Sequence, residues 1–216
     1  MSFSMKNKDR AIVMSIKNLF YSLLLLMIVS CSRDNGEITT PPAKDVINII
    51  TTGEQVFKEL VTSLSSELST AINTGGLKAA INTCNIRAIP ITTSIYEDNK
   101  SILNIKRTSF NIRNKNNKPD GYEKKALRYF EELEEFGKKF PSYYVQKIQE
   151  KDDVFFRYYK PLLINELCLN CHGVTDRMSA DILQELGELY PDDHANGYEL
   201  NNFRGVVSIT ISDEVQ

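Results

Sequence analysis

The sequence predicts an α+β domain built on an antiparallel sheet. Three observations carry that prediction. Two segments with helical apolar spacing fill residues 45 to about 89, five short runs rich in β-branched and aromatic residues follow, and two of those runs flank a four-residue polar turn.

The bounds come from composition. The chain has 216 residues, 42% of them hydrophobic and 25% charged, with a net charge of −2. That is globular usage, enough for one ordinary domain once a targeting segment is set aside. No long Lys/Arg block is present, so nothing points to nucleic acid.

Residues 1–30 read as a lipoprotein signal peptide. Lys6, Lys8, Arg10 and Lys17 precede the apolar run from Leu19 to Val29, which is short for a bilayer span and has the charge order of an export signal. The run ends in Ile28-Val29-Ser30-Cys31, a branched apolar residue and a small residue before a cysteine. This resembles a bacterial lipobox and makes Cys31 the expected lipidated residue, anchoring the chain to a membrane on its periplasmic or outer-membrane face. Residues 31–44, polar and with Pro41-Pro42, read as a tether, which leaves 45–216 as the domain.

The first helix is expected from Asp45 to about Asn73, on the spacing of Val46, Ile50, Phe57, Leu60, Leu64, Leu68 and Ala71. Gly75-Gly76 breaks it. A second helix places Leu77, Ala80, Ile81 and Cys84 on one inward face and should stop before Pro90. Strands are expected at about Ile91–Tyr96, Ile102–Ser109, Tyr143–Gln149, Val154–Tyr159 and Val206–Ile211, with Glu150–Asp153 as a hairpin turn. Between the second and third strands, Asp120 with Glu123 three residues on forms a capping box after Pro119. The helix it starts carries Leu127, Phe130, Leu133 and Phe136 and closes by Pro141, and a short helix is expected near Ala180–Leu189.

The chemistry concentrates in Cys168-Leu169-Asn170-Cys171-His172. In an exported chain, C-x-x-C-H reads as a c-type haem attachment site. Two thiols three residues apart match the two vinyl groups on one edge of a porphyrin, and the adjacent imidazole can ligate the iron. A disulfide or redox dithiol at Cys168 and Cys171, and a zinc site that adds Cys84, are the rival readings. Cys84 is then a cysteine without an assignment: either a small buried apolar side chain, or the sixth iron ligand opposite His172. His194, in a polar turn, is the alternative nitrogen ligand. Arg107, Arg113 and Arg204 are the candidate partners for the haem propionates, because a guanidinium grips a carboxylate at two points.

Several stretches are matched together. They are residues 76–85 (GLKAAINTCN), 107–114 (RTSFNIRN) with 117–120 (NKPD), 158–161 (YYKP), 168–173 (CLNCHG), 190–198 (YPDDHANGY) and 204–208 (RGVVS). In order and spacing they resemble a bacterial c-type haem domain family of PAS-like fold, a domain of unknown function. That family occurs alone in cyanobacteria and other bacteria, and in sensor histidine kinases. The resemblance covers nearly all of the expected mature chain. It implies one covalent haem c on a PAS-like five-stranded sheet, with His172 and Cys84 as axial ligands, and it implies no enzymatic activity. The expectation is a redox or small-gas sensor working with a separate signalling protein. The alternative is a periplasmic electron-transfer cytochrome with a redox partner. A peroxidase would need an open distal site with an acid or base, which a Cys84 ligand would fill.

Overall fold

A computed structural model describes residues 36–214. The signal peptide and Cys31 lie outside the described residues, and among those that are described no helix is long and apolar enough to cross a membrane.

The elements run β1 (Glu37–Thr39), α1 (Ala43–Glu97), β2 (Ile102–Thr108), α2 (Gly121–Glu135), β3 (Tyr144–Glu150), β4 (Asp153–Leu163), α3 (Leu169–His172), α4 (Ala180–Leu189) and β5 (Phe203–Ser212). The five strands form one antiparallel sheet in the order β1-β3-β4-β5-β2. The expected α+β class with a five-stranded sheet and long N-terminal helices is therefore what the chain forms.

Helix α1 is two arms joined at Gly76. Its φ of 71° and ψ of −168° lie in a region that favours glycine, and the arms fold back on one another. Their closeness shows in the pairing of Arg87 with Glu67 at 3.3 Å, and in a shared core of Val56 and Leu60 from the first arm with Ile95 from the second. This core lies on one face of the sheet, against Ile105, Phe156, Tyr158, Val207, Ile209 and Ile211. At Gly53 the helix approaches so closely that an added Cβ would stand 2.3 Å from the Tyr158 ring.

Helix α2 covers the opposite face. Ala126, Leu127 and Phe130 pack there with Tyr159, Phe203 and Val206. Strand β5 is covered on both faces, so Ser208 and Thr210 are buried on one face while Val207, Ile209 and Ile211 are buried on the other. The Asp120–Glu123 capping box forms as expected, and both carboxylates continue inward to Arg157.

Four expectations are corrected. Residues 91–96 are helical, not a strand: Ile91 and Ile95 sit one turn apart against the core, and the Thr92 hydroxyl donates to the Ala88 carbonyl at 2.7 Å. Pro90 does not stop the helix. It cannot donate to the Ile86 carbonyl, and this position lies on the exposed side of the arm, where Ile86 is 65% exposed. The missing strand is supplied from the stretch expected to be tether, where Ile38 pairs with Ile148 and the Gly36 N–H donates to the Tyr122 hydroxyl at 2.9 Å. Helix α2 also stops earlier than Pro141, at Glu135, and leaves Phe136 68% exposed.

Candidate functional site

The site lies where the end of β4 delivers the motif against the second arm of α1. After Leu163 the chain turns, pairing Ile164 with Asn201 and Asn202, and enters the single turn of α3. Cys168 caps that turn. Its carbonyl accepts from both the Cys171 N–H at 3.1 Å and the His172 N–H at 2.9 Å, so both thiols and the imidazole start from one turn of backbone. Gly173 ends it because a Cβ there would meet the Leu169 carbonyl oxygen at 2.6 Å.

Helix α4 braces this turn against α1. Ile81 from the second arm, Ile182 and Leu186 form a small core, with Cys171, Met178, Leu189 and Tyr190 packed on it. Lys78 pairs with Glu185 at 2.8 Å and Asn82 donates to the same carboxylate, and these two bonds hold the Glu185 carboxyl below its ordinary range. Cys84 follows Ile81 by three residues, so it lies beside this contact, close enough for its charge to act on Cys171.

His172 is fixed by its ring. Its Nδ1 stands 2.6 Å from the Ala195 carbonyl oxygen, which can only accept, so Nδ1 carries the proton and the Nε2 lone pair is free. Burial first, and then the charges of Arg113 and Arg204, push the imidazole down to about 3. The ring is therefore neutral at physiological pH. The Tyr198 ring meets it edge-on at 6.5 Å. The loop that carries Ala195 is tied by backbone bonds from Gly197 N–H to Gly173 O (2.8 Å), Tyr198 N–H to His172 O (3.0 Å) and His194 N–H to Ile112 O (3.0 Å).

Cys84, Cys168 and Cys171 are free thiols. Cys84 is near enough to Cys171 to raise it, and both thiols feel Arg113. Burial raises both thiols, with Arg107 and Arg113 opposing it at Cys84 and Arg113 opposing it at Cys171. Cys84 is exposed on the second arm of α1, so the reading of it as a small buried side chain on an inward face is corrected. Among the described residues no three His, Cys, Asp or Glu side chains converge closely enough to hold a metal ion, so Cys84 is not gathered with the motif around one point as the zinc reading requires.

The three arginines separate. Arg107 is buried, which lowers it, and its charge neighbours are Cys84 and Tyr190. Arg204 donates to the Asn111 carbonyl at 3.0 Å and lies over the Tyr198 ring at 5.4 Å. Arg113 is already committed: it pairs with Asp193 at 2.9 Å and donates to the Cys171 and Ala195 carbonyls. His194, the alternative ligand, is exposed and stands among the charges of Asp192 rather than of Cys84. Asp193, Ala195, Tyr190 and Tyr198 complete the site without having been singled out. Their only signal is the 190–198 stretch as a whole.

Comparison with known proteins agrees with this architecture. The crystal structure of the cyanobacterial heme-protein Tll0287 superposes with a TM-score of 0.52 at 22% identity, covering 80% of this chain and 98% of that one. Among curated proteins none matches the chain. The Tll0287-like family model matches residues 42–212, which take in both arms of α1, the motif turn and all of the sheet except β1. The chain belongs to the Tll0287-like family.

Proposed function

We propose that the chain is an exported haem c protein of the periplasmic side, tethered by a lipid on Cys31, and that it works as a redox or small-gas sensor rather than as an enzyme. The observation that carries the reading is the fixed tautomer of His172. Its Nδ1–H is held by the Ala195 carbonyl, so Nε2 is the nitrogen offered to an iron. The donor set fits the cofactor. Cys168 and Cys171 leave one helical turn as free thiols, which suits thioether bonds to two vinyl groups, and Cys84 supplies a thiol from the facing arm of α1. Arg107 and Arg204 are the cations left for the propionates, because Arg113 has other partners.

When bound, the haem supplies one-electron chemistry and a coordination position for small molecules. The protein determines how its two ligands behave. His172 is held by a neutral, hydrogen-bonded ring and does not compete with protons near neutral pH. Cys84 differs, because burial favours its neutral thiol and the arginine charges only partly oppose that. It is therefore the ligand the fold holds less firmly, and the one that would yield a site to CO or NO. The relative described as a heme-protein supports the cofactor assignment through the shared fold. A periplasmic electron-transfer cytochrome is the second reading, favoured by Leu163, Leu167 and Val174, which are exposed on either side of the motif and would suit a partner protein.

The test is expression of the full chain with a cytochrome c maturation system. The expected product carries one covalent haem by mass and gives a low-spin ferric EPR signal with narrow g-spread, which Cys84→Ala abolishes. Reduced protein exposed to CO should give a bound spectrum. No covalent haem, or an unchanged signal in Cys84→Ala, would overturn the assignment.

A further inference from the structure

We infer that Arg113 and Asp193 form a latch that fixes the ring plane of His172, so that Arg113 is a positioning residue and not a partner for a ligand carboxylate. The proposed haem reading enters only in saying what His172 is positioned for. The latch itself consists of protein contacts.

The connections close a circuit. The Arg113 Nε donates to Asp193 Oδ2 at 3.0 Å, and Nη2 approaches the same oxygen at 2.9 Å. Nη2 also donates to the carbonyls of Cys171 and Ala195. The other Asp193 oxygen, Oδ1, accepts the Ala195 N–H at 2.8 Å. Both polar groups of Ala195 are thereby held, and its carbonyl is the one that receives the His172 Nδ1–H at 2.6 Å. The two latch side chains are only 14% and 11% exposed, and the guanidinium lies 5.9 Å from the centre of the Tyr190 ring, so water competes little with these bonds.

A simpler role would be to brace the loop. Backbone bonds from residues 194, 197 and 198 already fasten that loop on both sides of Ala195. What Arg113 adds is direction: it sets where the Ala195 carbonyl points and ties that carbonyl to the backbone of Cys171, the residue before the histidine. A planar fork with five donors can meet a carboxylate and two carbonyls together, whereas a lysine is a point charge that meets fewer of them in fixed geometry. The same contacts account for Asp193 rather than Asp192, whose carboxylate is exposed and pairs with Lys115.

Imidazole 15N NMR on the full-length, haem-free chain tests the latch, with His194→Gln used to assign the two histidines. The wild type should show His172 as the Nδ1–H tautomer with a slowly exchanging proton. Arg113→Lys and Asp193→Asn should each speed that exchange at least about tenfold, as expected for loss of a charge-assisted bond. In haem-loaded protein the same variants should keep covalent haem but split the single low-spin EPR signal into several ring orientations. A wild-type Nε2–H tautomer overturns the inference, as does wild-type exchange in both variants. If Arg113→Lys does not fold, Asp193→Asn decides; if neither folds, the wild-type tautomer decides alone. A wild-type chain that takes up no haem overturns the cofactor reading instead and leaves the exchange result intact.

Discussion

At the scale of the residue, His172 gives the clearest pH dependence. Its imidazole is near 3 in the folded, haem-free chain, against about 6.5 when unfolded. Between those values the unfolded state binds the extra proton, so stability should fall as pH drops from about 6.5 towards 3 and be fully present above that window. At about 1.4 kcal/mol per pH unit the effect is a few kcal/mol. Urea unfolding across this range should show the slope in the wild type and lose most of it in His172→Gln. The motif that contains His172 was legible because its three side chains carry the chemistry. The Ala195 carbonyl that fixes the tautomer was not, because a backbone acceptor leaves no mark in the residue types. Asp193 was hidden for a related reason: two neighbouring aspartates read alike, and only the fold distinguishes the one that meets Arg113 from the one that meets Lys115.

At the scale of the element, α1 shows where reading by pattern fails. Residues 91–96 (ITTSIY) are rich in β-branched types, which suits a strand, yet the packing of Ile91 and Ile95 on the sheet face decides for a helix. Pro90 was read as a stop because a helix interior loses a hydrogen bond there. The helix bears that loss on its exposed side, at Ile86. Pro90→Ala should therefore stabilise the chain by about 1–3 kcal/mol in urea unfolding. Gly76 should behave in the opposite sense. A Cβ there meets nothing within 4 Å, so Gly76→Ala is opposed only by its backbone angles and should cost about 1–3 kcal/mol. The break at Gly75-Gly76, the capping box and α4 were all legible, since each depends on local chemistry. Strand β1 was not: three residues with a single apolar side chain become a strand only because β3 offers an unpaired edge.

At the scale of the whole molecule, a buried charge cluster ties the layers together. Glu123, fully buried at the start of α2, meets Lys106 from β2 at 2.6 Å and Arg157 from β4 at 3.2 Å. Asp120 takes the other arm of Arg157 at 2.9 Å. Breaking such a cluster leaves uncompensated cations in the interior, so Glu123→Gln should cost about 3–5 kcal/mol, read as a lower urea midpoint. The charge pairs of this cluster join residues up to 37 positions apart along the chain, as Arg157 to Asp120 shows, and no local pattern announces them.

Strand β4 also acts as a ruler. Its first residues lie level with β1, where the described domain begins, because Gln149 pairs with both Glu37 and Val154. Six residues further along, Lys160 lies level with Val207 and so with Arg107 on the wall of the site. At about 3.3 Å per residue the entry of the chain and the candidate site are at least about 20 Å apart. Within the described residues, the strand where the chain is first seen and the turn that carries the thiols and the imidazole therefore belong to opposite ends of β4.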